Sequence, residues 1–248
     1  MAERVIGRIP VLECLRVGKR PARRLFVLTG VKGIDEILSA ASNIEVESCS
    51  RRELDAMVKG ETHQGVILEA ESLPLLDLDE WLGKLADRPD VVVVLLDGIE
   101  DPHNLGAIVR SAAACGAAGV VFGKDRSAPL SSVAMKSAAG AMEHIDLVRV
   151  TNLARSIESL QSAGFWISAF DADADQDLWN ADLTGRTGIV IGSEGKGVRR
   201  LVAEKCDLRL RIPIDGRITS LNASVSAGIA LTECLRQRAR PGASAQDD

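Results

Sequence analysis

The chain contains no tyrosine, and only four phenylalanines and three tryptophans stand among its 248 residues. So sparse an aromatic set argues against a nucleic-acid platform built on stacked rings. Cysteine is almost as scarce. Cys14, Cys49, Cys115, Cys206 and Cys234 form no CxxC pair, and their odd number argues for reduced, mostly buried thiols rather than disulfides. The three histidines lie far apart, so no metal site is expected. No apolar run approaches membrane-spanning length, and Glu3, Arg4, Arg8, Glu13, Arg16 and Lys19 interrupt the start of the chain. Neither a membrane segment nor a secretory leader is expected, and the expected location is the cytoplasm.

Positive charge is also in short supply. The net charge is −5, which counts against nucleic-acid binding, because phosphate contacts need lysine and arginine. Residues 1–72 carry 11 basic and 11 acidic side chains, so the whole deficit lies in the remainder. Within that first part Lys19, Arg20, Arg23 and Arg24 form a tight basic cluster, which taken alone reads as a solvated turn.

What is present in quantity is alternation. Residues 1–72 give a helix from about Pro10, a strand at 25–28, a helix near 34–41, a strand at 44–46, a helix from Arg51 and a strand at 66–68. The stretch around Pro74 breaks the rhythm, and residues 73–90 are expected to hold a linker and a first helix. The run Val91-Val92-Val93-Val94-Leu95-Leu96 is apolar on both faces and reads as a central strand. Helices and strands then alternate to a last helix spanning about 220–238, stopped by Pro241-Gly242. The pattern predicts an α/β protein: a small N-terminal α/β domain over 1–72, a larger domain over 91–240 with a mostly parallel sheet, and a flexible tail at 241–248.

Three polar stretches follow apolar runs in the larger domain: Asp97 to Arg110, Ile191 to Gly197, and Ile212 to Asn222. Loops leaving the carboxyl ends of parallel strands share one edge, so the three can converge on one pocket. Asn104 suits a helix cap. Gly106 costs about 1 kcal/mol relative to Ala inside a helix, which close approach of a ligand or partner backbone would explain. Arg110 lies among small and apolar neighbours, and either snorkels to solvent or is aimed at an anion. The glycines around Glu194 and Lys196 let the backbone turn sharply, yet the stretch matches neither a P-loop nor a dinucleotide fingerprint. Ser220 and Asn222 are expected in the first turn of the last helix, as a cap or as groups for a ligand hydroxyl or carboxylate. Asp171, Asp173, Asp175 and Asp182 imitate part of an EF-hand, but Gln176 stands where Gly is needed, and a solvated acidic loop is the better reading.

Taken together and in order, the three stretches resemble the motifs of the SpoU (TrmH) class of SPOUT RNA ribose 2′-O-methyltransferases. Gly7 to Glu13 and His63-Gln64-Gly65-Val66 resemble landmarks of that class's N-terminal RNA-binding domain, so the resemblance runs almost end to end. It implies S-adenosyl-L-methionine as methyl donor, a C-terminal trefoil knot and a homodimer with active sites near the subunit interface. By position, donor-binding backbone falls on Gly192, Ile212 and Leu221. Catalytic and RNA-positioning side chains fall on Asn104, Arg110, Glu194, Ser220 and Asn222, and Lys19, Arg20, Arg23 and Arg24 become RNA contacts. Within the class the resemblance is greatest to enzymes that methylate a guanosine of 23S ribosomal RNA. The rival readings are the same chemistry on a tRNA guanosine, a non-catalytic RNA-binding protein of ribosome assembly, and a nucleotide-dependent oxidoreductase, the last weakened by the missing fingerprint.

Overall fold

A computed structural model describes residues 2–58 and 60–239; the tail expected at 241–248 lies outside the described residues. The first part runs β1 (Ala2–Ile6), α1 (Arg8–Val17), β2 (Ala22–Leu28), α2 (Asp35–Ala40), β3 (Glu45–Cys49), α3 (Arg51–Val58) and β4 (Val66–Glu71). Its sheet has the order β1-β4-β2-β3, with β2 and β3 parallel and the other pairs antiparallel. Successive strand residues face opposite sides, so Leu25 and Val27 pack with Val11 and Ile37 under α1 and α2, while Phe26 and Ile67 pack with Leu54 of α3. Strand β1 escaped the sequence reading because it is short, lies at the sheet edge and carries Glu3 and Arg4.

The second part runs α4 (Leu78–Lys84), β5 (Val91–Asp97), α5 (Pro102–Ala114), β6 (Gly119–Gly123), α6 (Ser132–Ala138), a 3-10 turn at Ala141–Glu143, β7 (Asp146–Val150) and α7 (Leu153–Ser162). It continues with β8 (Trp166–Phe170), β9 (Gln176–Asp177), a 3-10 turn at Leu178–Asn180, β10 (Arg186–Gly192), α8 (Arg200–Ala203), β11 (Leu208–Arg211) and α9 (Ala223–Arg238). The seven strands pair in the order β7-β6-β5-β10-β8-β11-β9, every ladder parallel. All seven residues of β5 are buried, as expected for a strand covered on both faces. On one side Val94, Leu96 and Ile189 meet Ile108 of α5 and Leu231 of α9; on the other Val93 and Leu95 meet Trp81 of α4 and Ile157 of α7.

The segment between the two sheets is stitched to the larger one. Leu76 forms a parallel bridge with Val148, its N–H donating to the Leu147 carbonyl at 2.9 Å. A charged joint adds to this. Arg20 is 3% exposed and donates through Nη2 and Nε to Glu143 Oε1 at 2.7 and 3.1 Å, and through Nη1 to Glu3 at 3.1 Å and the Glu71 carbonyl at 2.9 Å. Burial works against the Arg20 charge, but Glu143 outweighs it and holds the guanidinium pKa above its usual value. Lys19 donates to the Ile145 carbonyl at 2.6 Å and lies 3.6 Å from Asp146; burial lowers its pKa despite that partner. Glu13 meets His144 at 2.6 Å and Lys136 donates to Glu61 at 2.8 Å, so both ends of the joint are pinned.

All five cysteines are free. Burial pushes the Cys14 and Cys234 thiols up to about 11 and Cys206 to about 12, so none of these three is a ready thiolate.

Candidate active site

Strands β5 and β10 are neighbours with Asp97 opposite Gly192, so the loops that leave them emerge side by side. The loop after β10 closes on itself: Ser193 N–H donates to the Gly197 carbonyl at 3.1 Å and Gly197 N–H returns to Ser193 at 2.9 Å. Only glycine fits at 192, because a Cβ there would stand 2.1 Å from the Gly197 carbonyl carbon. Gly195 and Gly197 adopt left-handed φ of +75° and +63°. The closed loop is anchored by a pair absent from the expected set. Asp97, 1% exposed, accepts from Arg199 N–H at 2.7 Å and from its Nε at 2.7 Å. Hydrogen bonding to Asp97 raises the Arg199 pKa. A carboxylate ending an otherwise wholly apolar strand was the available signal for it.

Three of the expected side chains meet although 90 and 28 residues separate them along the chain. Asn104 Nδ2 donates to Glu194 Oε1 at 2.8 Å, Asn222 Nδ2 donates to Asn104 Oδ1 at 3.0 Å, and Asn222 Nδ2 also donates to Glu194 Oε1. Two amide groups thus fix one carboxylate. Asn104 is not a cap: helix α5 begins earlier, at Pro102, with Asp101 accepting from His103 N–H at 2.9 Å. That leaves the Asn104 side chain for Glu194. Helix α9 begins later than expected, at Ala223. Asn222 is its cap, with Oδ1 accepting from Ser224 N–H at 2.9 Å and Val225 N–H at 3.3 Å, while Ser220 lies in the loop before it.

Beside this triangle lies a cleft of about 350 Å³ that includes Gly192, Glu194, Ile212, Ser220 and Leu221 in its lining. Such a volume falls in the usual range for a small-molecule site. Phe170 and Ser226, not singled out in the sequence, line it as well, as does Thr219 of the third stretch. Arg110 is absent from the lining. It is exposed on α5, and its side chain makes no hydrogen bond or ion pair among the described residues. Gly106 finds its explanation within the chain, since a Cβ there would lie 2.3 Å from the Ala134 carbonyl oxygen of α6.

The basic cluster of the first part requires correction. Arg20 is withdrawn into the joint with Glu143 and Glu3, and Lys19 is engaged there with Asp146, so neither is a free surface cation for RNA. Arg23 and Arg24 remain half-exposed but already face Glu71, and Glu45 with Glu47. Of the acidic-loop carboxylates, Asp171 pairs with Arg209, whose charge Asp173 and Asp175 also favour, while Asp182 accepts from Thr184 N–H at 2.9 Å. Among the described residues no group of three or more His, Cys, Asp or Glu side chains is arranged to hold a metal, and no helix is long and apolar enough to cross a membrane.

Fold and site together define a parallel α/β protein with a ligand cleft at the carboxyl edge of its larger sheet, carried beside a separate small sheet. The family model described as "SpoU rRNA Methylase family" matches residues 91–232, and one described as "RNA 2'-O ribose methyltransferase substrate binding" matches residues 4–76. The chain belongs to the SpoU rRNA methylase family. It is 45% identical over 204 residues to the 23S rRNA (guanosine-2′-O-)-methyltransferase RlmB of Pseudomonas putida, covering 81% of each chain. It is 41% identical over 239 residues to YacO of Bacillus subtilis, assigned to the TrmH family of tRNA/rRNA methyltransferases, covering 94% of this chain and 95% of that one. The crystal structure of the SpoU methyltransferase AviRb from Streptomyces viridochromogenes with its cofactor AdoMet superposes with a TM-score of 0.80 at 27% identity, covering 96% of this chain and 90% of that chain.

Proposed function

We propose that the protein transfers a methyl group from S-adenosyl-L-methionine to the ribose 2′-hydroxyl of a guanosine in 23S ribosomal RNA. The observation that carries this reading is the triangle of Asn104, Glu194 and Asn222 beside the cleft that holds Gly192, Ile212 and Leu221. Family membership and the likeness to RlmB over both parts of the chain support the choice of substrate.

The cleft suits this donor. Ile191, Ile212 and Leu221 offer an apolar wall, and the tight 193–197 loop and the backbone at 219–221 offer polar groups for the charged end. Gly192, Ile212 and Leu221 would hold the donor through backbone groups. When bound, it supplies a methyl group activated by an adjacent sulfonium. Glu194, oriented by its two amide donors, and Ser220 face the space where a ribose hydroxyl has to be positioned. Arg110 grips the neighbouring phosphate or stabilises the developing alkoxide, while solvent or another group takes the hydroxyl proton. A guanidinium stays protonated at ordinary pH and so is a poor proton acceptor.

Arg110 reaches the reaction across a homodimer in this reading. Ser111, next to it, faces Gly228 of α9, and that helix exposes Val225 and Leu235 at 48% and 45%, a face suited to a second copy. The C-terminal segment from β10 onward forms the trefoil knot of the SPOUT class. Residues 1–72 act as the RNA-binding domain, 73–90 as linker and first helix, and 91–240 as the methyltransferase domain, with Arg23 and Arg24 as RNA contacts of the small sheet. A cytoplasmic location accords with five unpaired thiols.

The test is to map 2′-O-methyl groups in ribosomal RNA from cells with and without the protein, alongside transfer from labelled donor in vitro. One guanosine of 23S RNA loses its methyl group with the protein, and Arg110→Ala abolishes transfer while donor binding persists. Unchanged rRNA methylation, or loss of a tRNA methyl group instead, refutes the assignment.

A further inference from the structure

With the expected basic cluster consumed in ion pairs, the cations that remain free mark where phosphate can bind. Many exposed arginines and lysines stand beside carboxylates, as Arg16 does with Glu36, Arg200 with Glu204 and Lys205 with Glu158. Four exposed cations whose side chains make no hydrogen bond or ion pair among the described residues stand at or just after the carboxyl ends of two neighbouring strands: Lys124, Arg126, Arg149 and Arg155. Lys124 and Arg126 follow β6, Arg149 stands one residue before the end of β7, and Arg155 lies in the first turn of α7 just beyond it. The Lys124 N–H donates to the Val150 carbonyl at 2.7 Å, which seats the β6 loop on the end of β7. Asp125 is the one carboxylate placed between the first two cations.

We infer that these four side chains form a phosphate rail that holds the RNA backbone flanking the methylated nucleotide. The inference rests on the proposed RNA methyl transfer and adds the residues of the larger domain that grip its substrate. Position supports it. Strands β6 and β7 end at the same carboxyl edge as β5 and β10, and adjacent strands are about 4.8 Å apart. The β6 loop therefore begins about 10 Å from the cleft loop after β10. It also touches the loop that leads to Asn104, since Ala128 N–H donates to the Ile99 carbonyl at 2.7 Å. Within that same loop Arg126 holds a left-handed φ of +53°, and Ser127 Oγ is buried without a hydrogen-bond partner. Strained backbone of this sort gathers at ligand-binding segments. An RNA strand leaving the cleft over Asn104 meets the rail next, and among the described residues none of its four side chains is held in an ion pair, although Arg155 lies close enough to Glu158 to help lower that carboxylate's pKa.

The experiment uses the full chain with Lys124, Arg126, Arg149 and Arg155 all changed to Gln, and a control in which the paired cations Arg16, Lys84, Arg200 and Arg236 are changed to Gln instead. Binding to an in-vitro 23S rRNA transcript is measured from about 50 to 200 mM salt, with donor affinity and melting temperature in parallel. Each phosphate contact to a single strand contributes about 0.7 to the slope of log K against log salt. The rail variant is expected to lose about 3 from that slope and to bind at least about tenfold more weakly at low salt, with donor affinity unchanged. The control keeps the wild-type slope. A rail variant that binds like wild type, a control that loses as much, or a wild-type protein that does not bind the transcript overturns the inference. Methyl transfer is scored separately: rail-dependent binding without transfer refutes the proposed activity and leaves the rail standing.

Discussion

Replacing Glu143 by Leu tests whether the joint between the two sheets is held by charge. Arg20 and Glu143 have side chains only 2% and 4% exposed, with Nη2 to Oε1 at 2.7 Å. Removing one partner of a buried pair typically costs about 3–5 kcal/mol, because the other charge is left without compensation. Arg20 would keep Glu3 at 3.1 Å and the Glu71 carbonyl at 2.9 Å, which puts the expected cost at the lower end, about 3 kcal/mol. For a chain of this size that corresponds to a melting temperature lower by about 6–12 °C. Glu143 Oε2 is itself buried without a partner, so the wild-type pair is not an optimal solution. The double replacement Arg20→Met with Glu143→Leu should therefore recover most of the loss. Urea unfolding followed by tryptophan fluorescence reports on it directly, since buried Trp81 donates to Asp146 at 3.0 Å beside the same joint. A single variant within about 1 kcal/mol of wild type, or a double variant no better than the single, would refute the reasoning.

Gly106→Ala should destabilise the chain by about 1–3 kcal/mol despite the gain in helix propensity, because the new methyl meets the Ala134 carbonyl at 2.3 Å; a stabilised variant in thermal melts would show that α5 and α6 are not so closely packed. Asn222→Ala should cost about 1 kcal/mol through loss of the α9 cap, whereas Asn222→Asp keeps a capping oxygen and melts closer to wild type. Both lose the amide donor to Glu194, so methyl transfer should fall on the order of tenfold or more in each, and an active Asn222→Asp would remove that donor from the mechanism. Burial works to raise the Glu61 pKa, but hydrogen bonds from Lys136 and Ser132 bring it below the usual carboxylate value. Its stabilising contribution is therefore present at neutral pH and lost as pH falls through and below the ordinary carboxylate range. The stability gap between wild type and Glu61→Gln should accordingly close on acidification, and a gap constant with pH would mean that no charge is involved.

The parallel sheet was legible because Val91 to Leu96 and the segments around it are apolar on both faces, a pattern few other folds require. Helix starts were read late or early where the local cap was misjudged. Asp101-Pro102, an acidic cap followed by a proline at the first helical position, marks the true start of α5, yet Asn104 was the more conspicuous candidate. Charge partners were not legible at all. Arg20 and Glu143 are 123 positions apart, and nothing in a basic tetrad of sequence tells whether its members will face solvent or a buried carboxylate. The meeting of Asn104 with Glu194 is likewise a product of strand order, since only the adjacency of β5 and β10 brings their loops together. Those residues could be named beforehand by resemblance to a family, whereas Asp97 was visible only as a carboxylate ending an apolar strand and its partner Arg199 not at all.

The pinned joint turns the small sheet into a gauge. With Arg20, Lys19, Glu13 and Glu61 all tied to residues 136–146 beside the larger sheet, whatever the small sheet grasps is held at a set offset from the cleft. A nucleic acid touching both would be measured by length as well as shape, and lengthening it between the two points would carry the reacting sugar out of reach.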